Sequence, residues 1–125
     1  MTYKNILQID DDIDDCEFFK EALQAVSNAD YTAMHSAGEA LKKLIHHELN
    51  PDIIFLDLNM PIMSGFEFLA EIKTQKIIQD IPIIVFSTSQ FEETKIKARN
   101  YGAKEFISKP SDFNELKKII SHFSI

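Results

Sequence analysis

Pro51-Asp52-Ile53-Ile54-Phe55-Leu56-Asp57-Leu58-Asn59-Met60-Pro61 is the stretch from which the fold is read. Ile53 to Leu56 is an unbroken apolar run, of the length expected for a strand buried on both faces. The run ends in a carboxylate, Asp57, and Pro61 then blocks simple continuation of regular structure. Ligands of open α/β sheets bind just beyond the carboxyl ends of the strands. Asp57 therefore reads as an acid held at the mouth of a sheet. Taken alone, it reads equally well as a carboxylate capping the following turn, a common use of Asp.

Towards the N-terminus the same pattern recurs. Asn5-Ile6-Leu7-Gln8-Ile9 reads as a strand and also ends in acid, at Asp10, Asp11 and Asp12. Asp12, Asp14 and Asp15 suit a helix start, through capping and the dipole. Cys16, Phe19, Ala22, Leu23 and Val26 then repeat at helical spacing, and Ser27-Asn28 ends the helix. Tyr31 to His35 is a short strand of mixed polarity, expected near a sheet edge. Ser36 and Glu39 form a capping-box pattern before a helix with Ala40, Leu41, Leu44 and Ile45 on one face.

Towards the C-terminus, Ser64 and Glu67 repeat the capping box, before a helix with Phe66, Leu69, Ala70 and Ile72 inward. Ile81 to Phe86 is a buried strand ending at Ser87. Glu92 to Asn100 is a polar helix with a thin apolar stripe, including Ile96 and Ala98, and Gly102 is its C-terminal cap. Glu105 to Ser108 is a fifth strand, closed by Lys109-Pro110. Ser111 is expected to cap a last helix with Phe113, Leu116, Ile119, Ile120 and Phe123 inward. Strand and helix alternate five times, which implies an α/β fold with a parallel sheet and helices on both faces.

Composition narrows the class. A chain of 125 residues suits one domain with one core, spanning residues 1–125. The net charge of −7 and the lack of a basic run disfavour nucleic acid as a direct partner. The single cysteine, Cys16, cannot form an internal disulfide and lies on an apolar stripe, as a core residue would. No apolar stretch is long enough to span a bilayer, and no signal-peptide pattern opens the chain, so the cytoplasm is the expected location. The three glycines form neither a P-loop nor a dinucleotide fingerprint. His46 and His47 are adjacent on a helix and face different ways, and His35 and His122 show no acid or cysteine partner at ligand spacing.

Four strand ends carry chemistry: Asp10 and Asp11, Asp57, Ser87, and Lys109. In a parallel sheet these ends share one rim. Crowded carboxylates invite a hard divalent cation such as Mg²⁺. A carboxylate beside such a cation can attack phosphorus, Ser87 can bond a phosphoryl oxygen, and Lys109 can neutralise another. Positioning and charge neutralisation of this kind make a phosphoryl-transfer site.

Ile6-Leu7-Gln8-Ile9-Asp10-Asp11-Asp12, Asp57-Leu58-Asn59-Met60-Pro61, Ser87, Gly102-Ala103, Phe106 and Lys109-Pro110 together resemble the receiver domain of two-component response regulators. The resemblance runs the length of the chain and is closest to single-domain, chemotaxis-type regulators. It implies a flavodoxin-like receiver fold with strand order 2-1-3-4-5. It implies that Asp57 accepts a phosphoryl group from a sensor histidine kinase or a histidine phosphotransfer protein, with later self-dephosphorylation. Mg²⁺ would be held by Asp10 (through water), Asp11, Asp57 and the backbone carbonyl of Asn59, with Ser87 and Lys109 completing the catalytic set. An unnamed downstream protein would read the face made by the fourth helix, fifth strand and fifth helix. Phe106 stands where many members have Tyr. It is expected near the surface, moving inward beside Ser87 when Asp57 is phosphorylated, so the switch would work by packing alone.

Gln8 departs from the family by placing an amide in the first strand, where it is expected to face a helix edge. No output segment follows the last helix, as in a stand-alone regulator or a receiver excised from a longer chain. Two other classes compete. One is a degenerate receiver acting as a phosphorylation-independent binding module, which the full acid set disfavours. The other is an aspartyl-nucleophile phosphohydrolase, which usually needs an acid two residues beyond the nucleophile, where this chain has Asn59.

Overall fold

Apolar runs with no polar face can be buried only between two helical layers, and that constraint sets the architecture. The computed structural model describes residues 2–125. Its elements are β1 (Asn5–Ile9), α1 (Ile13–Val26), β2 (Asp30–Met34), α2 (Ala37–Ile45), β3 (Ile53–Leu56), α3 (Gly65–Ile72), β4 (Ile83–Ser87), α4 (Glu92–Asn100), β5 (Glu105–Ser108) and α5 (Phe113–Ser121). The five strands pair in parallel in the order β2-β1-β3-β4-β5. β2 lies on the edge, as its mixed polarity implies. No helix among the described residues is long and apolar enough to cross a membrane.

Alternate residues of the inner strands feed two cores. Leu7, Ile9, Ile54, Leu56, Val85 and Phe106 pack under α2, α3 and Ala98 of α4. Ile6, Phe55, Ile84 and Phe86 pack under α1 and α5, against Phe19, Leu23, Leu116 and Ile120. Phe19 anchors the second layer, its ring centroid 4.9 Å from that of Phe55 and 5.6 Å from that of Phe86. Gln8 shares the parity of Ile6 and is buried below α1, where its Oε1 accepts a 2.6 Å bond from the Tyr31 hydroxyl. Its Nε2 finds no protein partner.

The caps follow the sequence with one exception. Asp12 accepts from the Asp15 N–H and Ser36 from the Glu39 N–H. The Ser64–Glu67 box is reciprocal. α5 is capped by Asp112, not Ser111, because the Asp112 carboxylate sits one residue nearer and accepts from the Glu115 N–H at 2.9 Å.

Four inward faces differ from the periodicity; in α1 the last residue of the stripe, Val26, is exposed. In α3 the buried ring is Phe68, while Ala70 is exposed and Phe66 is only half-buried. Phe66 turns instead to the Tyr101 ring, 5.3 Å away, and carries the Lys97 ammonium 4.2 Å above its face. Such a cation–aromatic pair holds the half-buried ring at the margin of the core, against which it still packs. In α4 only Ala98 is buried, and Ile96 is exposed. In α2 Ile45 lies at the exposed margin, because Ala37 opens the inward stripe one turn earlier.

Candidate functional site

Strand register brings the acids together. Ile9 pairs with Leu56, so the next residues, Asp10 and Asp57, leave neighbouring strands side by side. The Asp57 N–H donates to the Ile9 carbonyl at 2.9 Å, and the Asp10 N–H to the Met34 carbonyl at 3.0 Å. Both carboxylates are therefore fixed by ladder geometry before any side-chain contact is made. One oxygen each from Asp10, Asp11 and Asp57 lies within 4.8 Å of the others. Asp10 and Asp57 are buried, while Asp11 is exposed.

Lys109 joins them from the end of β5. Its N–H donates to the Ser87 carbonyl at 2.8 Å, locking the β4 and β5 ends together. Its Nζ donates to Asp10 Oδ2 at 2.7 Å and to Asp15 Oδ2 at 2.8 Å, and lies 3.8 Å from Asp57 Oδ1. Burial opposes the lysine's charge, but the bonds to Asp10 and Asp15 outweigh it and hold Lys109 well above its ordinary pKa. One cation thus serves three carboxylates. Asp15, which the sequence offers only as a helix-start acid, is a full partner in this network.

The charge balance is incomplete at Asp57. Burial pushes its carboxyl up to about 6; Lys109 and the nearby Ser87 hydroxyl favour ionisation, and Asp10 and Asp11 oppose it. Burial likewise raises Asp10, although Lys109 and the Asp12 N–H both bond its carboxylate. Ser87 is fully buried, and its hydroxyl makes no well-formed hydrogen bond. A buried donor without a partner costs on the order of 1–3 kcal/mol. The site therefore holds excess negative charge and a donor that engages Asp57 only weakly, both of which a suitable ligand would satisfy.

The oxygen-only donor set fits a hard divalent cation. Mg²⁺ favours one or two carboxylates with the remaining positions held by water or substrate oxygens, and three converging carboxylates at this rim supply that chemistry. Asn59 lies two residues beyond Asp57 on the exposed lip. Beside it opens a cleft of about 570 Å³, bordered by Asn59, Thr88, Ser89, Thr94 and the rings of Phe66 and Phe91. The start of α3 packs backbone to backbone here: a Cβ on Gly65 would fall 2.5 Å from the Asp57 carbonyl oxygen and 2.7 Å from the Leu58 Cα. Only glycine lets α3 start this close to Asp57. Within the intervening loop, Ile62 is fully exposed and held at φ +70°.

Asp10, Asp11, Asp57, Ser87 and Lys109 all lie at this rim, as the strand-end pattern expects. Two expectations need correction. Phe106 is not near the surface; it is 8% exposed and packed in the α2–α3 core layer, with the Lys95 ammonium 5.9 Å from its ring centroid. It alternates inward on β5 with the same parity as its partner Val85. His35 does have partners: its Nδ1 lies 2.9 Å from the Asp10 carbonyl oxygen and 3.9 Å from Cys16 Sγ. No spacing rule could find them, because one is a backbone atom and both lie across a strand junction. Cys16 is buried as expected, and burial pushes its thiol up to about 11, far from thiolate reactivity.

The family model described as "Response regulator receiver domain" matches residues 6–121. Among curated proteins, the phosphate regulon transcriptional regulatory protein PhoB of Pseudomonas aeruginosa is 31% identical over 116 residues, covering 93% of this chain and 49% of that protein. The chain spans half or less of the length of the curated relatives it matches first. Among solved structures, the phosphorylated cyanobacterial phytochrome response regulator RcpA superposes with a TM-score of 0.86 at 30% identity, covering 97% of this chain and 91% of that one. The response regulator TrrA of Thermotoga maritima, in complex with Mg²⁺-BeF, gives 0.78 at 31% identity, covering 96% and 98%.

Proposed function

The chain belongs to the response regulator receiver domain family, and from that premise we propose that residues 1–125 form a phosphoryl-accepting switch with Asp57 as the acceptor. The observation that carries the assignment is the convergence of the Asp10, Asp11 and Asp57 carboxylates on one rim, within 4.8 Å. Asp57 is the member placed to react. Burial pushes its carboxyl up to about 6 in the metal-free protein, so it is mostly ionised at neutral pH. An Asp57 oxygen forms a bond to phosphorus, and the P–N bond of a phosphohistidine donor breaks. The departing imidazole takes up a proton.

Asp10, Asp11 and Asp57, with the Asn59 carbonyl, would hold Mg²⁺, as suits a family with a Mg²⁺-BeF complex among its structures. The ion would supply charge neutralisation at the phosphoryl oxygens. The chain's own groups do the rest. The Ser87 hydroxyl, weakly engaged in this state, donates to one phosphoryl oxygen. The Lys109 ammonium, 3.8 Å from Asp57 Oδ1, turns from the carboxylates to another. Asn59 and Ser89 are small, leaving access beside Asp57 for the water that later hydrolyses the acyl phosphate.

The donor is a sensor histidine kinase or a histidine phosphotransfer protein, and the chain acts in the cytoplasm. The readout face is α4, β5 and α5. α4 buries only Ala98, so it is the helix least tied to the core. Between β5 and α5 lies an apolar groove of about 370 Å³ that reaches Phe106, Ile107, Ile119 and Phe123.

Intact mass after incubation with acetyl phosphate and Mg²⁺ tests the assignment. One phosphoryl group should be added, labile to hydroxylamine. Asp57→Asn should abolish it. Asp52→Asn should not, because Asp52 sits at the opposite rim and accepts from the N–H groups of Lys4 and Asn5. An unmodified parent, or a parental rate in the Asp57 variant, would show that Asp57 is not the acceptor.

A further inference from the structure

We propose that His35 is a positioning residue for the acidic loop, holding the Asp10–Asp11 peptide plane so that Asp11 points into the site; this rests on the Mg²⁺ assignment above. A carbonyl oxygen only accepts, so the 2.9 Å contact between His35 Nδ1 and the Asp10 oxygen fixes the proton on Nδ1. The Asp10 carbonyl belongs to the same rigid peptide plane as the Asp11 nitrogen. Clamping that oxygen therefore fixes the direction in which Asp11 leaves the strand.

Apart from the Cys16 thiol, the other handles on Asp10 constrain different parts of it. Its N–H is tied to the Met34 carbonyl. Its two carboxylate oxygens are tied to the Asp12 N–H and to Lys109. The Cys16 thiol reaches the same carbonyl, but at 3.6 Å it is a weak donor. Asp11 itself is exposed and accepts no hydrogen bond among the described residues. Its orientation is thus set by the backbone, and the backbone's free carbonyl is set by His35. Met34 and His35 are consecutive, so the end of the edge strand grips both main-chain groups of Asp10.

Groups that orient metal ligands usually change metal affinity by about 10–100-fold when removed. His35 is exposed, so water competes for the carbonyl and the effect should be smaller, about three- to tenfold. The test is Mg²⁺ titration followed by the amide shifts of residues 10–12, with melting of the metal-free protein alongside. His35→Ala should weaken Mg²⁺ binding by that factor while the metal-free melting temperature stays close to the parent's. His35→Asn, whose amide nitrogen replaces Nδ1, should restore binding to within about twofold. Tyr31→Phe removes a neighbouring hydroxyl, which donates to Gln8 Oε1 and lies 3.2 Å from the Cys16 carbonyl oxygen, and should leave Mg²⁺ affinity unchanged. Parental binding by His35→Ala, failure of His35→Asn to rescue, or an equal loss in Tyr31→Phe would each overturn the positioning role. A parent that binds no Mg²⁺ would overturn the metal assignment as well.

Discussion

Replacing Asp57 by Asn should make the metal-free protein more stable, and the gain should depend on pH in a set direction. Burial lifts the Asp57 carboxyl from its ordinary 3.8 to about 6. The folded state therefore binds this proton more tightly than the unfolded chain does. Stability is highest at pH values below the unfolded pKa, falls as pH rises between 3.8 and about 6, and stays low above that. At about 1.4 kcal/mol per unit, the ionised carboxylate costs the fold about 3 kcal/mol at pH 7.5. Lys109 loses little in the variant, because Asp10 and Asp15 hold it at 2.7 and 2.8 Å while Asp57 is at 3.8 Å. The buried amide needs partners of its own, which takes back about 1 kcal/mol.

The net gain at pH 7.5 should be about 1–2 kcal/mol. With a urea slope of about 2 kcal/mol per molar, the unfolding midpoint should rise by about 0.5–1 M. At pH 4 the carboxyl is protonated in the folded state and half-protonated when unfolded. Its cost drops below about 1 kcal/mol, and the advantage of Asn should vanish. Urea unfolding of parent and variant at both pH values, without Mg²⁺, reads this directly. A gain of equal size at pH 4 and pH 7.5 would show that the variant acts by packing and not by charge. A less stable variant at pH 7.5 would refute the electrostatic cost altogether.

Saturating Mg²⁺ should stabilise the parent by about 1–3 kcal/mol, and Asp11→Asn should remove most of that gain while changing metal-free stability little, since Asp11 is exposed; melting curves with and without Mg²⁺ decide it, and a full Mg²⁺ gain in the variant would exclude Asp11 as a ligand. Ile62→Asn should stabilise the fold by about 1 kcal/mol, because a β-branched residue at φ +70° is strained and this one, fully exposed, has no packing to lose; a lower urea midpoint would show that contacts hold Ile62 in place.

Strand ends were legible because each apolar run stops where its chemistry begins. β3, β5 and α4 have the bounds the pattern predicts, and parallel alternation alone places Asp10, Asp57, Ser87 and Lys109 on one rim. What could not be read depends on distances between helices and strands. The Lys109–Asp15 pair joins residues 94 apart and needs α1 to lean over the end of β5. The His35–Asp10 contact uses a carbonyl, and a carbonyl leaves no mark in a sequence. Spacing turns Phe66 inward, yet it stops at the core margin, where Tyr101 and Lys97 give it an aromatic partner and a cation. Phe106 is expected near the surface, but β5 alternation turns it inward. Ala98 and the stems of neighbouring residues cover it.

Burial of Phe106 changes what the switch can use. A ring already packed at 8% exposure gains almost no further apolar area by moving inward, so ring burial cannot drive the two-state shift. The electrostatic imbalance can. Four carboxylates, Asp10, Asp11, Asp15 and Asp57, face one ammonium, and an unpartnered hydroxyl waits at Ser87. A ligand shifts a conformational equilibrium only by its differential affinity for the two states. On the proposed assignment, a phosphoryl group on Asp57 would offer acceptors to Ser87 and Lys109 that the resting state lacks. Drawing both inward would move the ends of β4 and β5 together, because the Lys109 N–H is bonded to the Ser87 carbonyl. The first element to feel that motion would be α4, attached to β4 by the Thr88–Phe91 loop, with Ala98 its one buried residue. Its distal end is braced by Phe66, Lys97 and Tyr101. Displacement should therefore be largest at the Phe91 end of α4 and smallest at Tyr101, with Phe106 carried along as packing and not acting as the trigger.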